Sequence, residues 1–144
     1  MVVVANSPEY KELAAKILQK EIGVQPSADM QAIFWVNDTT HEVEWVTGYT
    51  SFIGKTCQMH FWSAETGYTP REFLRVAFDY PFNQAGRDII FGVCNSLNTK
   101  AMKYDAKVGM EEVIRFPEMH DDGGDLVLFQ MRKDKCRWIK EKQK

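Results

Sequence analysis

Near residue 69 the hydrophobic pattern changes period, and the two periods demand two kinds of packing. Upstream, residues 42–52 alternate, with Val43, Trp45, Thr47 and Tyr49 on one face and Glu42, Glu44, Val46 and Gly48 on the other. Residues 32–37 and 56–62 read as strands on either side of it, joined through Asp38-Thr39-Thr40-His41 and Gly54-Lys55. Both connectors are rich in turn formers, so the three segments predict an antiparallel meander. Downstream, Phe73, Leu74, Val76, Ala77 and Phe78 recur at helical spacing. Thr69-Pro70-Arg71-Glu72 reads as a capping box with proline at the first helical position. Pro81 has no N–H and must end or kink that helix near Tyr80.

The remaining elements follow from local signals. Residues 2–5 are β-branched and suit a short strand, and Ser7-Pro8 opens a helix that Gly23 closes. Residues 87–94 predict a buried strand, 98–107 a helix closed by Gly109, and 111–116 and 125–132 a hairpin across a Gly/Asp-rich turn. The order is strand, helix, three strands, helix, strand, helix, two strands. That order predicts an α/β (α+β) domain on one mixed sheet.

At 144 residues the chain has the length of one domain, expected to span residues 1–133 with a basic tail at 134–144. A hydrophobic fraction of 44% is that of a globular protein, while the longest apolar runs, such as Ile89 to Cys94, fall far short of the about 20 residues of a membrane span. The first residues, Met1-Val2-Val3-Val4-Ala5, lack the charged start of a signal peptide. Cys57, Cys94 and Cys136 are odd in number and widely spaced, which favours reduced thiols, a cytoplasmic setting and no structural zinc. From Arg132 onward there are seven basic and two acidic residues, which leaves the body with a charge of −7. An acidic body argues against a broad nucleic-acid surface.

Several residues carry candidate chemistry, each beside a plainer reading. The strand, loop and helix start over residues 56–75 suit an anion, since free N–H groups and the helix dipole point there. Arg71 and Arg75 share a helix face and add charge, or else pair with Glu65, Glu72 or Asp79. His60 shares a strand face with Gln58 and Trp62, opposite Cys57, Met59 and Phe61. It is either a general base or a half-buried strand histidine with a hydrogen-bond partner. Glu42 and Glu44 are a pair of bases or the wet side of a strand. His120-Asp121-Asp122 with Asp125 is rich in oxygen ligands but lacks calcium-loop spacing.

From Gly67-Tyr68 and Glu72-Phe73-Leu74 through Asp79-Tyr80-Pro81-Phe82-Asn83-Gln84-Ala85-Gly86, the chain resembles the third helix of the GNAT superfamily of acyl-CoA-dependent N-acyltransferases. It is nearest the branch that acetylates ribosomal-protein N-termini, where G-Y-x-x-E-A-L…D-Y-A-F-x-x-L-G is usual. Residues 88–98 resemble that family's fifth strand and the asparagine after it. Lys107-Val108-Gly109-Met110 stands where the family has E-K-x-G-F, and residues 111–132 resemble its closing hairpin. The likeness spans about residues 56–133.

The resemblance implies a mostly antiparallel sheet with helices on both faces and strands splayed around acetyl-CoA, the co-substrate. Strand backbone around Met59, Phe61 and Trp62 would pair with pantetheine, and Asn98 would lie beside that arm. Gly67, Thr69, Arg71, Glu72 and Arg75 would surround the pyrophosphate. An amine acceptor, protein or small molecule, would attack the thioester directly, with His60, Glu44 or Glu42 handling its proton and Tyr104 serving the leaving thiolate. Two positions depart from the family pattern: the loop has one glycine, Gly67, and the usual tyrosine position is Asp105, with Tyr104 one residue early. They motivate the alternative of a catalytically inactive GNAT-fold binding or structural protein, such as a bacteriophage virion component. Neither membrane nor nucleic acid is an expected partner, and pairing into a homodimer stays open.

Overall fold

The computed structural model describes residues 1–64 and 69–139. Seven strands form one sheet in the order β1-β2-β3-β4-β5-β7-β6. They are β1 (Val2–Val4), β2 (Gln31–Val36), β3 (Val43–Ile53), β4 (Thr56–Ser63), β5 (Ile89–Asn95), β6 (Glu111–Phe116) and β7 (Leu126–Arg132). Every neighbouring pair is antiparallel except β4–β5, which is parallel. The helices are α1 (Pro8–Ile22), α2 (Arg71–Asp79) and α3 (Thr99–Val108). Element order and sheet class are those predicted, with boundaries moved by one or two residues.

Helices lie on both faces. On one face, Ala14 and Leu18 of α1 pack on Phe34 and Val46. Gly48 makes room for this, because a Cβ there would run into Leu18 Cδ1. The larger core, on the other face, joins Tyr49, Met59, Ile90 and Phe129 of the sheet to Phe73, Ala77 and Phe78 of α2 and Val108 of α3. Local signals behave as expected at the helix ends. Ser7 Oγ accepts from Tyr10 N at 3.2 Å, Asn98 Oδ1 accepts from Ala101 N at 3.1 Å, and Gly23 and Gly109 close their helices at positive φ.

One local expectation changes. The capping box at the head of α2 does not form: Pro70 occupies the cap position without a side-chain bond, and the Thr69 hydroxyl turns away to Tyr104. A tertiary partner outcompetes the local one. Towards the end of the described residues the chain stays on the body through Ile139. Cys136 is fully buried and Trp138 Nε1 donates to Val108 O at 2.8 Å, which docks this segment on the end of α3.

Pro81 does kink its helix. The chain passes from α2 into a π-helical turn over Tyr80–Gln84, where Ala85 N donates to Tyr80 O. Proline cannot donate to the carbonyl one turn back, that of Ala77, and the Tyr49 hydroxyl donates to it instead. Tyr49 is 0% exposed and its ring lies 4.9 Å from that of Tyr80. This bond ties the middle of β3 to the bend after α2. Tyr49→Phe should therefore cost about 1–3 kcal/mol in chemical denaturation, because it leaves a buried carbonyl short of a donor.

Candidate functional site

β4 is paired to β3 up to Ser63, and β5 to β7 up to Asn95. With each other they share only three register pairs, Thr56–Ile89, Cys57–Ile90 and Gln58–Phe91. Beyond Gln58 the two strands diverge, and the backbone edges facing the gap are unpaired. A cleft of about 1170 Å3 occupies this divergence and opens on both faces of the sheet. Phe61, Trp62 and Ser63 line it from β4, Cys94 and Asn95 from β5, and Asn98, Ala101 and Tyr104 from α3 and its start. The connection after α1, from Gly23 to Asp29, lines the opposite wall.

On the α3 side, aromatic rings shape the floor. Tyr104 stacks on Trp45 with ring centroids 5.6 Å apart and meets the edge of Phe61, also at 5.6 Å. Its hydroxyl accepts from Thr69 Oγ1 at 3.2 Å, and burial pushes its pKa up to about 12, so it keeps its proton at any ordinary pH. Trp45, 7% exposed, has an indole N–H with no partner among the described residues. An enclosed donor left unmatched by protein marks a place where a ligand acceptor atom fits.

Beside Tyr104, burial raises the Asp105 carboxyl to about 7, and no hydrogen bond or ion pair relieves it among the described residues. Cys94 on the facing strand is pushed to about 11 by burial and by the Asp105 charge. On the α1 side, His60 bonds through Nε2 to Thr50 Oγ1 at 2.8 Å, and burial lowers its pKa to about 4. It is neutral at pH 7 and a weak proton acceptor. His120 also lines the cleft, with an enclosed Nε2 that has no partner among the described residues, near an Asp122 carboxylate held by Asn95 Nδ2 and Gly124 N.

The divergence thus brings together His60, Phe61, Trp62, Asn98 and Tyr104 among the residues marked in the sequence. Met59 is buried beneath the cleft in the core. Thr69 reaches it through Tyr104. Glu44 lies outside the lining: it sits four residues, about 13 Å of strand, from Gly48, the register partner of His60. Glu42 precedes β3. Arg71, Glu72 and Arg75 are on the first turns of α2 and are not among the lining residues described, and Arg75 acts on Asp79. Gly67 lies outside the described residues.

Sequence reading passed over Trp45, Asp105 as a titrating group, and Lys100, Lys103 and Lys107, all of which line the cleft. Asp105 did leave a signal, since it is four residues after Ala101 and three before Val108, an acid at an apolar helical position. The other residues gave none, because an inward strand tryptophan and surface lysines are commonplace. Among the described residues no cluster of metal-ligating side chains occurs, and no helix is long and apolar enough to cross a membrane.

The charge state of Asp105 makes stability depend on pH. Unfolded, its carboxyl ionises near 3.9, whereas folded it holds its proton to about 7. Its contribution is complete below about pH 4 and is lost as pH rises through 7. Asp105→Asn should match the parent melting temperature most closely near pH 3, exceed it already at pH 5, and lead by roughly 10 °C at pH 8, where the gain levels off, read by calorimetry.

No protein-family model and no curated protein sequence matches the chain. Solved structures do. A chimera of the spermidine N-acetyltransferase SpeG from Vibrio cholerae with hSSAT superposes with a TM-score of 0.71, at 12% identity, over 96% of this chain and 99% of that one. Ribosomal-protein-alanine N-acetyltransferase from Brucella melitensis gives 0.67 at 10% identity, over 92% and 99%. A GNAT-family acetyltransferase from Bacillus anthracis gives 0.60 at 15% identity, over 72% and 66%. At such identities the likeness speaks for the fold, and with the sheet order and the parted β4 and β5 it shows that this chain has the GNAT fold.

Proposed function

We propose that the protein is an N-acyltransferase that moves an acyl group, acetyl in the simplest case, from acyl-CoA to an amine. The observation that carries this reading is the gap between β4 and β5. Its two free backbone edges suit the amide-bearing pantetheine arm, and its aromatic floor holds an enclosed Trp45 donor. Phe61 and Trp62 would flank the arm, with Met59 beneath and Asn98 at its side. The head of α2 has no side-chain cap, so its first N–H groups are available to a phosphate, as proposed for Thr69 to Glu72 together with Gly67.

In such a site the amine nitrogen attacks the thioester carbonyl, and the C–S bond breaks as the C–N bond forms. Holding both reactants in line supplies much of the acceleration. Tyr104 retains its proton and can give it to the departing thiolate sulfur. His60, neutral and held by Thr50, orients the acceptor side and is too weak a base to deprotonate an ammonium group at pH 7. Glu44 would act on the amine only through intervening water, given its distance from His60. The acceptor is expected to enter from the α1 side, between the wall after α1 and His60.

Calorimetric titration with acetyl-CoA and CoA tests the reading directly. Saturable binding below millimolar concentration is the expected result, and absence of heat at millimolar ligand would overturn it. Turnover can then be sought with spermidine and with an alanine-terminated peptide as acceptors. With whichever amine reacts, Tyr104→Phe should lower kcat about 100-fold with little change in KM for acetyl-CoA, as loss of a proton donor requires. Binding without turnover on any amine would instead favour the catalytically silent alternative.

A further inference from the structure

The cations marked in the sequence for the CoA phosphates, Arg71 and Arg75, do not line the cleft. Three others do. Lys100, Lys103 and Lys107 project from the exposed side of α3 along one wall. Steps of three and four residues place them within one helix face, and the first and last are about 10 Å apart along its axis.

We propose that this lysine row is a binding site for the phosphate groups of a nucleotide, and that it holds the polyanionic end of acyl-CoA. The inference rests on the acyltransferase reading for the identity of the ligand, though not for the chemistry of the site.

Like several other cations of the chain, the three lysines carry charge that no ion pair among the described residues matches. The other side-chain ion pairs among the described residues neutralise Lys16, Lys55, Arg115 and Arg132 with nearby carboxylates. None of the three lysines has such a partner among those residues. Like charges at these spacings repel one another, a cost to the helix that carries them. The row is also a concentrated positive edge on a body whose charge is −7.

The cleft is polarised accordingly. Its acidic side chains, Glu21 and Asp29, stand on the opposite wall, and Asp29 is kept ionised by hydrogen bonds from Ser27 Oγ and Phe52 N. Asp105, the acid on α3 itself, faces inward beside Tyr104 rather than along the row. A second feature points to a ligand independently of charge. Trp45 and His120 both line this cleft, and the nearly buried Trp45 indole N–H and the enclosed His120 Nε2 both lack partners among the described residues. A phosphorylated ligand lying along α3 would have its charge met by the lysines and its uncharged portion received by the aromatic floor.

Binding of CoA, pantetheine and adenosine 3′,5′-bisphosphate should be measured by calorimetry at two salt concentrations. The proteins are the parent, the triple variant Lys100→Gln/Lys103→Gln/Lys107→Gln, and Arg71→Gln/Arg75→Gln. These are surface substitutions, and a melting curve verifies that each variant is folded. The triple variant should bind CoA and the bisphosphate at least tenfold more weakly, with a flatter salt dependence, and pantetheine unchanged. The arginine variant should lose clearly less than the triple variant. Parent-like CoA binding by the triple variant, or a loss that follows the arginines, would overturn the lysine site and leave the acyltransferase reading intact. Bisphosphate binding that needs the lysines, with no CoA binding by the parent, would retain the site and remove that reading. Failure of the parent to bind either ligand would remove both.

Discussion

β4 has two unequal partners. β3 holds it along nearly its whole length, whereas β5 accompanies it for three residues and then leaves to follow β7. This inequality creates the cleft. A fully paired β4–β5 ladder would satisfy the strand edges internally and leave no path through the sheet. With the strands parted, backbone donors and acceptors remain open within an otherwise well-paired sheet, and side chains from both faces meet at one opening. His60 arrives from the α1 face, and Tyr104 and Asp105 from the α3 face.

A rigid frame on either side is needed to keep such a gap open. On the α1 face, Gly48 lets Leu18 sit against the sheet. On the other face, the Tyr49 hydroxyl supplies the donor that Pro81 cannot, so a kink that weakens a helix becomes an anchor between the sheet and the bend after α2. The chain end adds a further brace, with Cys136 buried and Trp138 bonded to the last turn of α3. These contacts hold α1, whose end borders the cleft, and α3, whose start does.

Burial then sorts the ionisable groups. His60 is pushed neutral, Tyr104 is kept protonated, and Asp105 is moved to the edge of neutrality. Sites that handle protons commonly combine groups driven in different directions by the same low-polarity surroundings. Here the cleft is lined by Glu21 and Asp29 from α1 and the connection after it, and by the lysines of α3.

Much of the fold was legible from residues alone. Alternation assigned β3 and the two faces of β4, Ser7, Asn98, Gly23 and Gly109 bounded helices, and Pro81 announced its kink, because each depends on neighbours within a few positions. The likeness over residues 56–133 also pointed to the GNAT fold. The site was less legible. Thr69 was expected to cap α2 and instead meets Tyr104, 35 residues away, while Lys100, Lys103 and Lys107, and not Arg71 and Arg75, are among the described residues that line the cleft. Local sequence determines period, capping and chain reversal, since these are short-range backbone preferences. Only the tertiary structure decides which side chains converge, how deeply Asp105 and His60 are buried, and which cations face the opening, since those follow from where distant elements come to rest.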